Sequence, residues 1–177
     1  LKKKDIVILL RSLSGWSEEF LSVLGAAGIP AYAESRTGYF TAVEVETMLN
    51  MLALIDNPMQ DIPLLSVLMS PIYGFTPDDL ADIRIRERKE PLYIALVRAA
   101  QEGDGRATQV LRDIEEYRAL AATLPSDRLI NLVYEKSGYP DLVQAMANGE
   151  LRLANLRLLL EYAKKYEGSG FNGLSGF

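Results

Sequence analysis

The chain has 177 residues, of which 49% are hydrophobic and 24% charged, and its formal net charge is −5. This composition is typical of a folded globular protein of one or two compact units and argues against an intrinsically disordered chain. Cysteine and histidine are both absent. The composition therefore excludes disulfides, thiolate or serine–histidine catalysis, and the usual transition-metal sites. The negative charge argues against a self-sufficient nucleic-acid binder, although it leaves room for a local basic patch.

No apolar run approaches the roughly 20 residues needed to span a bilayer, and no secretory signal pattern opens the chain. We therefore expect a cytoplasmic protein with no membrane partner. The chain begins with Leu1 and enters an apolar run almost at once. We expect it to be a piece of a longer protein.

The first predicted elements form a small α/β unit. Residues 6–10 are a continuous apolar run, which predicts a strand buried on both faces, as in a parallel sheet. A helix follows, with one apolar face between Trp16 and Ala27, and Gly28 provides its C-terminal stop. Residues 29–34 predict a second short strand. The three elements together have the length of a right-handed parallel crossover.

The rest of the chain predicts helices. Residues 41–44 read as a capping box for the first of them, and Asp61 is suited to cap the next. Residues 76–79, with a threonine cap, a proline and two acids, predict the start of a helix over 77–90, and Pro91 breaks it. Further helices are predicted at 92–102, 106–123, 126–137, 140–147 and 150–166. The predicted fold class is therefore mainly α with a small parallel β part.

Arg11 is the first candidate binding residue. It follows the predicted strand, at the edge where open α/β sheets place ligand groups, and its planar guanidinium suits phosphate oxygens. A solvated arginine at the end of a strand is the commoner arrangement. Spacing alone leaves both interpretations open.

Two further stretches also have a structural and a functional interpretation. Tyr39 and Phe40 could stack nucleic-acid bases, but Phe40 also suits a hydrophobic staple, and Glu44 a capping box. Residues 84–90 could touch a phosphate backbone, but such a mixed charge run more often forms a solvated helix face. No G-x-x-x-x-G-K-[ST] loop occurs in the chain. We expect no catalytic residue, no metal site and no ATP hydrolysis from this chain alone.

Several segments carry a resemblance to a known family. They are residues 5–12 (DIVILLRS), 28–32 (GIPAY), 38–45 (GYFTAVEV), 55–64 (IDNPMQDIPL) and 68–75 (LMSPIYGF), and towards the end 154–157 (ANLR), 162–167 (YAKKYE) and 170–174 (GFNGL). Together they resemble superfamily 1 helicases related to UvrD and Rep. The segments near the end fit best the helicase–nuclease branch, the AddA subunits of bacterial AddAB recombination complexes.

The resemblance implies an architecture and a parent activity. Residues 1–90 would be the first part of the second RecA-like lobe, and residues 91–177 the beginning of its helical insertion. The parent would be an ATP-dependent DNA helicase and exonuclease that works with a second subunit on double-strand breaks. The first lobe would hold ATP and Mg²⁺, and this piece alone would bind no cofactor. A non-enzymatic helical protein–protein interaction module is the alternative from another class.

The resemblance also assigns site residues. Arg11 matches the arginine of motif IV, which reaches the γ-phosphate of ATP across the cleft between the lobes. Tyr73, Gly74 and Phe75 match a Gly-Ile-Gly type of turn that can approach duplex DNA in relatives, which implies a weak DNA contact from Tyr73, Gly74 and Thr76. Thr76 stands where that turn has its second glycine.

Overall fold

The computed structural model describes residues 6–11, 16–31 and 39–169. The helices found in these ranges are α1 (Ser17–Ala26), α2 (Val43–Asp56), α3 (Asp61–Met69), α4 (Pro77–Arg86), α5 (Leu92–Gln101), α6 (Gly105–Ala121), α7 (Ser126–Ser137), α8 (Tyr139–Gln144) and α9 (Gly149–Gly168). The described residues up to Ala42 form one compact unit, and those from Val43 onward form another. No helix within these ranges is long and apolar enough to cross a bilayer.

The prediction of a small parallel sheet is wrong, because the described part of the chain is helical and holds no strand. Residues 6–10 are not paired into a sheet, and their side chains are largely exposed, Leu9 to 90%. An apolar run becomes a buried strand only when a neighbouring strand satisfies its backbone and other elements cover its faces. The partner strand predicted at residues 29–34 is not observed to pair with this run. Residues 29–31 are not in a strand, and residues 32–34 lie outside the described ranges.

The helix predicted after this run is confirmed as α1. It ends at Ala26, and Gly28 adopts a left-handed backbone with φ of 69°. Glycine enters that region without a steric penalty, so it suits the C-terminal stop. The apolar face of α1 is exposed at Trp16 and Val23.

The central helix of the second unit is α2. It packs against α3, α6 and α9. Its buried apolar residues are spread around much of its circumference: Val45, Met48, Met51, Leu52, Leu54 and Ile55. A helix that is apolar on most sides is expected in the interior, with neighbours on several sides.

The remaining helices of the second unit pack on one another. α4 packs on α5, and α5 on α6, while α7 and α8 both pack on α9. The predicted helices from residue 92 onward are confirmed, with ends displaced by a few residues. Helix α4 ends earlier than predicted, at Arg86, because the charged residues after it make other contacts. The Arg84 guanidinium donates to the Glu90 carbonyl at 2.6 Å, and Glu87 pairs with Arg98 of α5 at 2.6 Å.

Candidate nucleic-acid interface and phosphate contact

Arg11 lies in the first unit, at the end of the described stretch 6–11, with an exposed side chain. Since residues 6–10 are not in a strand, the argument that a sheet edge aims Arg11 at a ligand does not hold for the described residues. What remains is an exposed guanidinium, which presents five hydrogen-bond donors. This group fits phosphate oxygens.

ATP with Mg²⁺ is the cofactor that the resemblance implies. Arg11 offers a guanidinium that suits one of its phosphates. In the described ranges, no three His, Cys, Asp or Glu side chains are grouped so that they could hold a metal ion. The Arg11 guanidinium by itself suits a single phosphate contact.

Tyr73, Gly74 and Thr76 come together in the turn that joins α3 to α4. The amides of Tyr73 and Gly74 both donate to the Ser70 carbonyl, at 3.2 and 2.8 Å, and the amide of Phe75 donates to Leu68 at 2.9 Å. Gly74 has φ of 61°, in the left-handed region that glycine adopts most readily. The turn is thus defined by main-chain hydrogen bonds and one glycine.

Arg106, at the start of α6, holds this turn in place. Its guanidinium lies 3.9 Å from the centroid of the Phe75 ring. It also donates to the carbonyls of Tyr73 and Gly74, at 3.2 and 2.9 Å, and to Asp79 Oδ2 at 3.0 Å. One side chain therefore links the turn, the first turn of α4 and α6.

The Tyr73 side chain faces α6. Its hydroxyl donates to Asp113 Oδ2 at 3.2 Å, and Gln109 donates to the other oxygen of Asp113 at 2.7 Å. Burial, and then the charge of Asp113, raise the pKa of Tyr73 well above its usual range. Tyr73 thus supports the turn as a neutral donor.

Thr76 begins α4, and its predicted role as a helix cap is confirmed. Its hydroxyl accepts from the Asp79 amide at 3.2 Å, and its own amide donates to Asp79 Oδ2 at 2.8 Å. The hydrogen bond from the Thr76 amide, and next that from Arg106, hold the pKa of Asp79 below its usual value. Gly74 and Thr76 are the exposed members of the predicted set. The start of α4 offers amides to an anion, but Asp78 and Asp79 oppose it there.

Sequence reasoning missed a buried polar cluster around Glu44. Arg152 Nη1 donates to Glu44 Oε2 at 2.6 Å, and Asn155 Nδ2 donates to Oε1 at 2.6 Å. The sequence analysis favoured a capping-box role for Glu44. Its partners lie more than a hundred residues away, so nothing local to residues 41–44 could reveal them. The one available signal was the i,i+3 spacing of Arg152 and Asn155 on a single helix face.

Comparison with known proteins finds relatives that share one name. No protein-family model matches the chain. The chain is 44% identical over 178 residues to an ATP-dependent helicase/nuclease subunit of Acetivibrio thermocellus, and 45% identical over 178 residues to its namesake in Desulforamulus reducens. A protein of the same name from a Thermoanaerobacter species is 43% identical over 177 residues.

These alignments cover 98% of this chain but only 14% of the length of each relative. The chain therefore corresponds to a short stretch of much longer proteins. The predicted resemblance to the AddA helicase–nuclease branch is confirmed, and it extends over nearly the whole of this chain.

Proposed function

We propose that this chain is part of an ATP-dependent DNA helicase/nuclease, in which it forms one wall of the motor. The observation that carries the proposal is 40–45% identity to subunits of such enzymes over nearly the whole chain. Residues 1–90 belong to the second RecA-like lobe, and residues 91–177 begin its helical insertion. The parent processes DNA double-strand breaks in the cytoplasm, together with a second subunit.

In this proposal Arg11 contacts the γ-phosphate of an ATP that is otherwise held, with Mg²⁺, by parts of the parent outside this chain. Arg11 is exposed, so its guanidinium can meet a phosphate from a facing lobe. An arginine in that position stabilises negative charge that develops on the transferred phosphoryl group. Its contribution is therefore larger in the transition state than in nucleotide binding.

The turn from Tyr73 to Thr76 supplies a weak DNA contact in this proposal. Gly74 and Thr76 are exposed and approach the DNA backbone, while Tyr73 supports the turn through Asp113. Arg106 keeps the shape of the turn. The neighbouring Asp78 and Asp79 limit the affinity for phosphates.

The direct test uses the full-length protein purified with its second subunit. We expect ATP hydrolysis that depends on linear duplex DNA, and digestion of linear DNA but not of covalently closed circles. A pure heterodimer that neither hydrolyses ATP nor degrades DNA would contradict the proposal and favour the interaction-module alternative. The 177-residue chain by itself is expected to show neither activity. Turnover that survives repurification of that chain would contradict this part.

A further inference from the structure

The buried polar cluster joins the central helix α2 to α8 and α9. Its members are Glu44 and Thr47 on α2, Tyr139 on α8, and Arg152 and Asn155 on α9. The Glu44 side chain is only 4% exposed, and both of its carboxylate oxygens accept hydrogen bonds from α9. Tyr139 is 1% exposed, and its side chain lies beside the buried side chain of Thr47. The cluster therefore connects α2 to α9 through two hydrogen bonds to one carboxylate, and it brings Tyr139 of α8 beside Thr47 of α2.

The charged groups of the cluster have hydrogen-bond partners, as a buried charge requires. Besides its bond to Glu44, Arg152 donates from Nε to the Ala147 carbonyl at 3.0 Å, just before α9 begins. Pairing offsets the cost of burying the carboxylate, but a buried ion pair contributes little net stability compared with apolar side chains of similar size. What such a pair can supply is a defined geometry, because its hydrogen bonds are directional.

The α8–α9 corner is itself closely packed. A Cβ on Gly149 would lie 1.9 Å from the Gln144 carbonyl oxygen, so only glycine fits there. Asn148, just before it, has a left-handed backbone with φ of 58°. Helices α8 and α9 are therefore held against each other at their junction. A hydrogen bond that holds Arg152 of α9 on α2 consequently holds α8 in place as well.

We propose that the Glu44–Arg152 pair, with Asn155, fixes the angle at which α7–α9 are held on α2. Helices α7 and α6 share another ion pair, between Lys136 and Glu116, but both of those side chains are about 40% exposed. Exposed pairs restrain geometry weakly. In the Glu44–Arg152 pair the carboxylate is only 4% exposed and the guanidinium 29%, so this less exposed pair is the polar contact that sets the angle.

A second part of the inference rests on the proposed function. There, α2 belongs to the motor lobe, and α8 and α9 belong to the helical insertion. The Glu44–Arg152 pair would then make the insertion move with the lobe, so that ATP-driven movement of the lobe is transmitted to DNA unwinding. Glu44 and Arg152 are positioning residues in this account.

A distance measurement on the 177-residue chain tests the first part. The chain has no cysteine, so the exposed positions Arg112→Cys on α6 and Lys165→Cys on α9 can carry two spin labels. Electron paramagnetic resonance should give one narrow distance distribution. We expect it to broaden or shift when the pair is replaced by Glu44→Leu with Arg152→Leu, which leaves no unpaired buried charge. Lys136→Ala, which breaks the exposed pair, is the matched control and should leave the distribution unchanged.

Circular dichroism on the same samples makes each outcome decisive. A broadened or shifted distribution with native helical content supports the proposal. A distribution that stays narrow at the original distance overturns it. Loss of helical content in the double variant also overturns it, because the pair would then serve folding rather than the angle.

The full-length heterodimer tests the second part. For the double variant we expect the kcat and KM of ATP hydrolysis stimulated by single-stranded DNA to stay within about twofold of the wild-type values. Base pairs unwound per ATP should fall by about fivefold or more. An unchanged ratio would overturn the transmission role. If the wild-type heterodimer shows no DNA-dependent hydrolysis, the proposed function fails, while the distance result still decides the first part.

Discussion

The guanidinium of Arg106 lies over the ring of Phe75, 3.9 Å from its centroid, and donates to the two carbonyls that precede that ring. A residue at the start of α6 thereby fixes a turn some thirty positions earlier in the chain. The turn contains Gly74 and Thr76, for which we propose a DNA contact, and Tyr73, which supports them. Its shape therefore depends on Arg106 as well as on its own main-chain hydrogen bonds.

Replacing Arg106 should loosen this turn. Arg106→Ala removes a cation–π contact and three charge-assisted hydrogen bonds, but the side chain is about half exposed, so solvent screens part of their value. We expect a loss of about 1–2 kcal/mol in the free energy of unfolding. Urea titration followed by circular dichroism measures it. Arg112→Ala, an exposed arginine on the same helix, should change stability by no more than about 0.5 kcal/mol. Equal effects for the two variants would contradict the role of Arg106.

Position 74 should require glycine because of its backbone conformation, not because a larger side chain would lack room. A Cβ built on Gly74 has no heavy atom within 4 Å, but φ is 61°. Gly74→Ala should therefore cost about 1–2 kcal/mol, and Gly74→Asn less, because asparagine tolerates the left-handed region. Gly105→Ala, with equally open surroundings and an ordinary φ, should be neutral or stabilising. Thermal melting compares the three variants, and a Gly74→Ala variant as stable as Gly105→Ala would refute the argument.

Alkaline pH should destabilise the fold through its buried tyrosines. Burial raises the pKa of Tyr73 well above its usual range, and Asp113 adds to the effect. Burial likewise raises the pKa of Tyr93 and of Tyr117 to about 12. A phenol whose pKa is higher when folded contributes stability that is complete below its unfolded value of about 10 and is lost as the pH rises past that value.

We therefore expect the free energy of unfolding to fall steeply between about pH 10 and pH 12. Urea titrations across that range, with tyrosinate absorbance recorded alongside, measure the slope. Tyr73→Phe removes one titrating group and should flatten the dependence. An unchanged slope in Tyr73→Phe would show that Tyr73 titrates no differently in the folded and unfolded chain.

Features set by neighbours in sequence were predictable. The capping box at Thr76 needs only the residues from Thr76 to Asp79, and the structure has both of its hydrogen bonds. Gly28, after α1, was predictable for the same reason. The helices after Pro91 follow from apolar periodicity between clear breakers, so only their ends shifted by a few residues.

Features set by distant partners were not predictable. Residues 6–10 have the composition of a buried strand, but strand formation depends on a neighbour that the run itself cannot specify. The role of Glu44 depends on Arg152 and Asn155, which reach it only once α9 has packed on α2. Arg106 likewise reaches the turn at Gly74 only in the folded chain.

The proposed motor function is tested most directly by ATP hydrolysis in the full-length heterodimer carrying Arg11→Ala. We predict that the DNA-stimulated rate falls by about 10²-fold or more, while nucleotide affinity falls less, because the guanidinium acts mainly on transition-state charge. Arg11→Lys should rescue poorly, since one ammonium does not reproduce the planar fork. Arg112→Ala is the matched control and should leave the rate unchanged.

Thermal melting of the same variants completes the measurement. Arg11 is exposed, so Arg11→Ala should leave the melting temperature of the chain nearly unchanged. A collapse of hydrolysis with an unchanged melting temperature is the result that the account predicts. Normal hydrolysis together with a large drop in melting temperature would contradict it, because Arg11 would then be a structural residue.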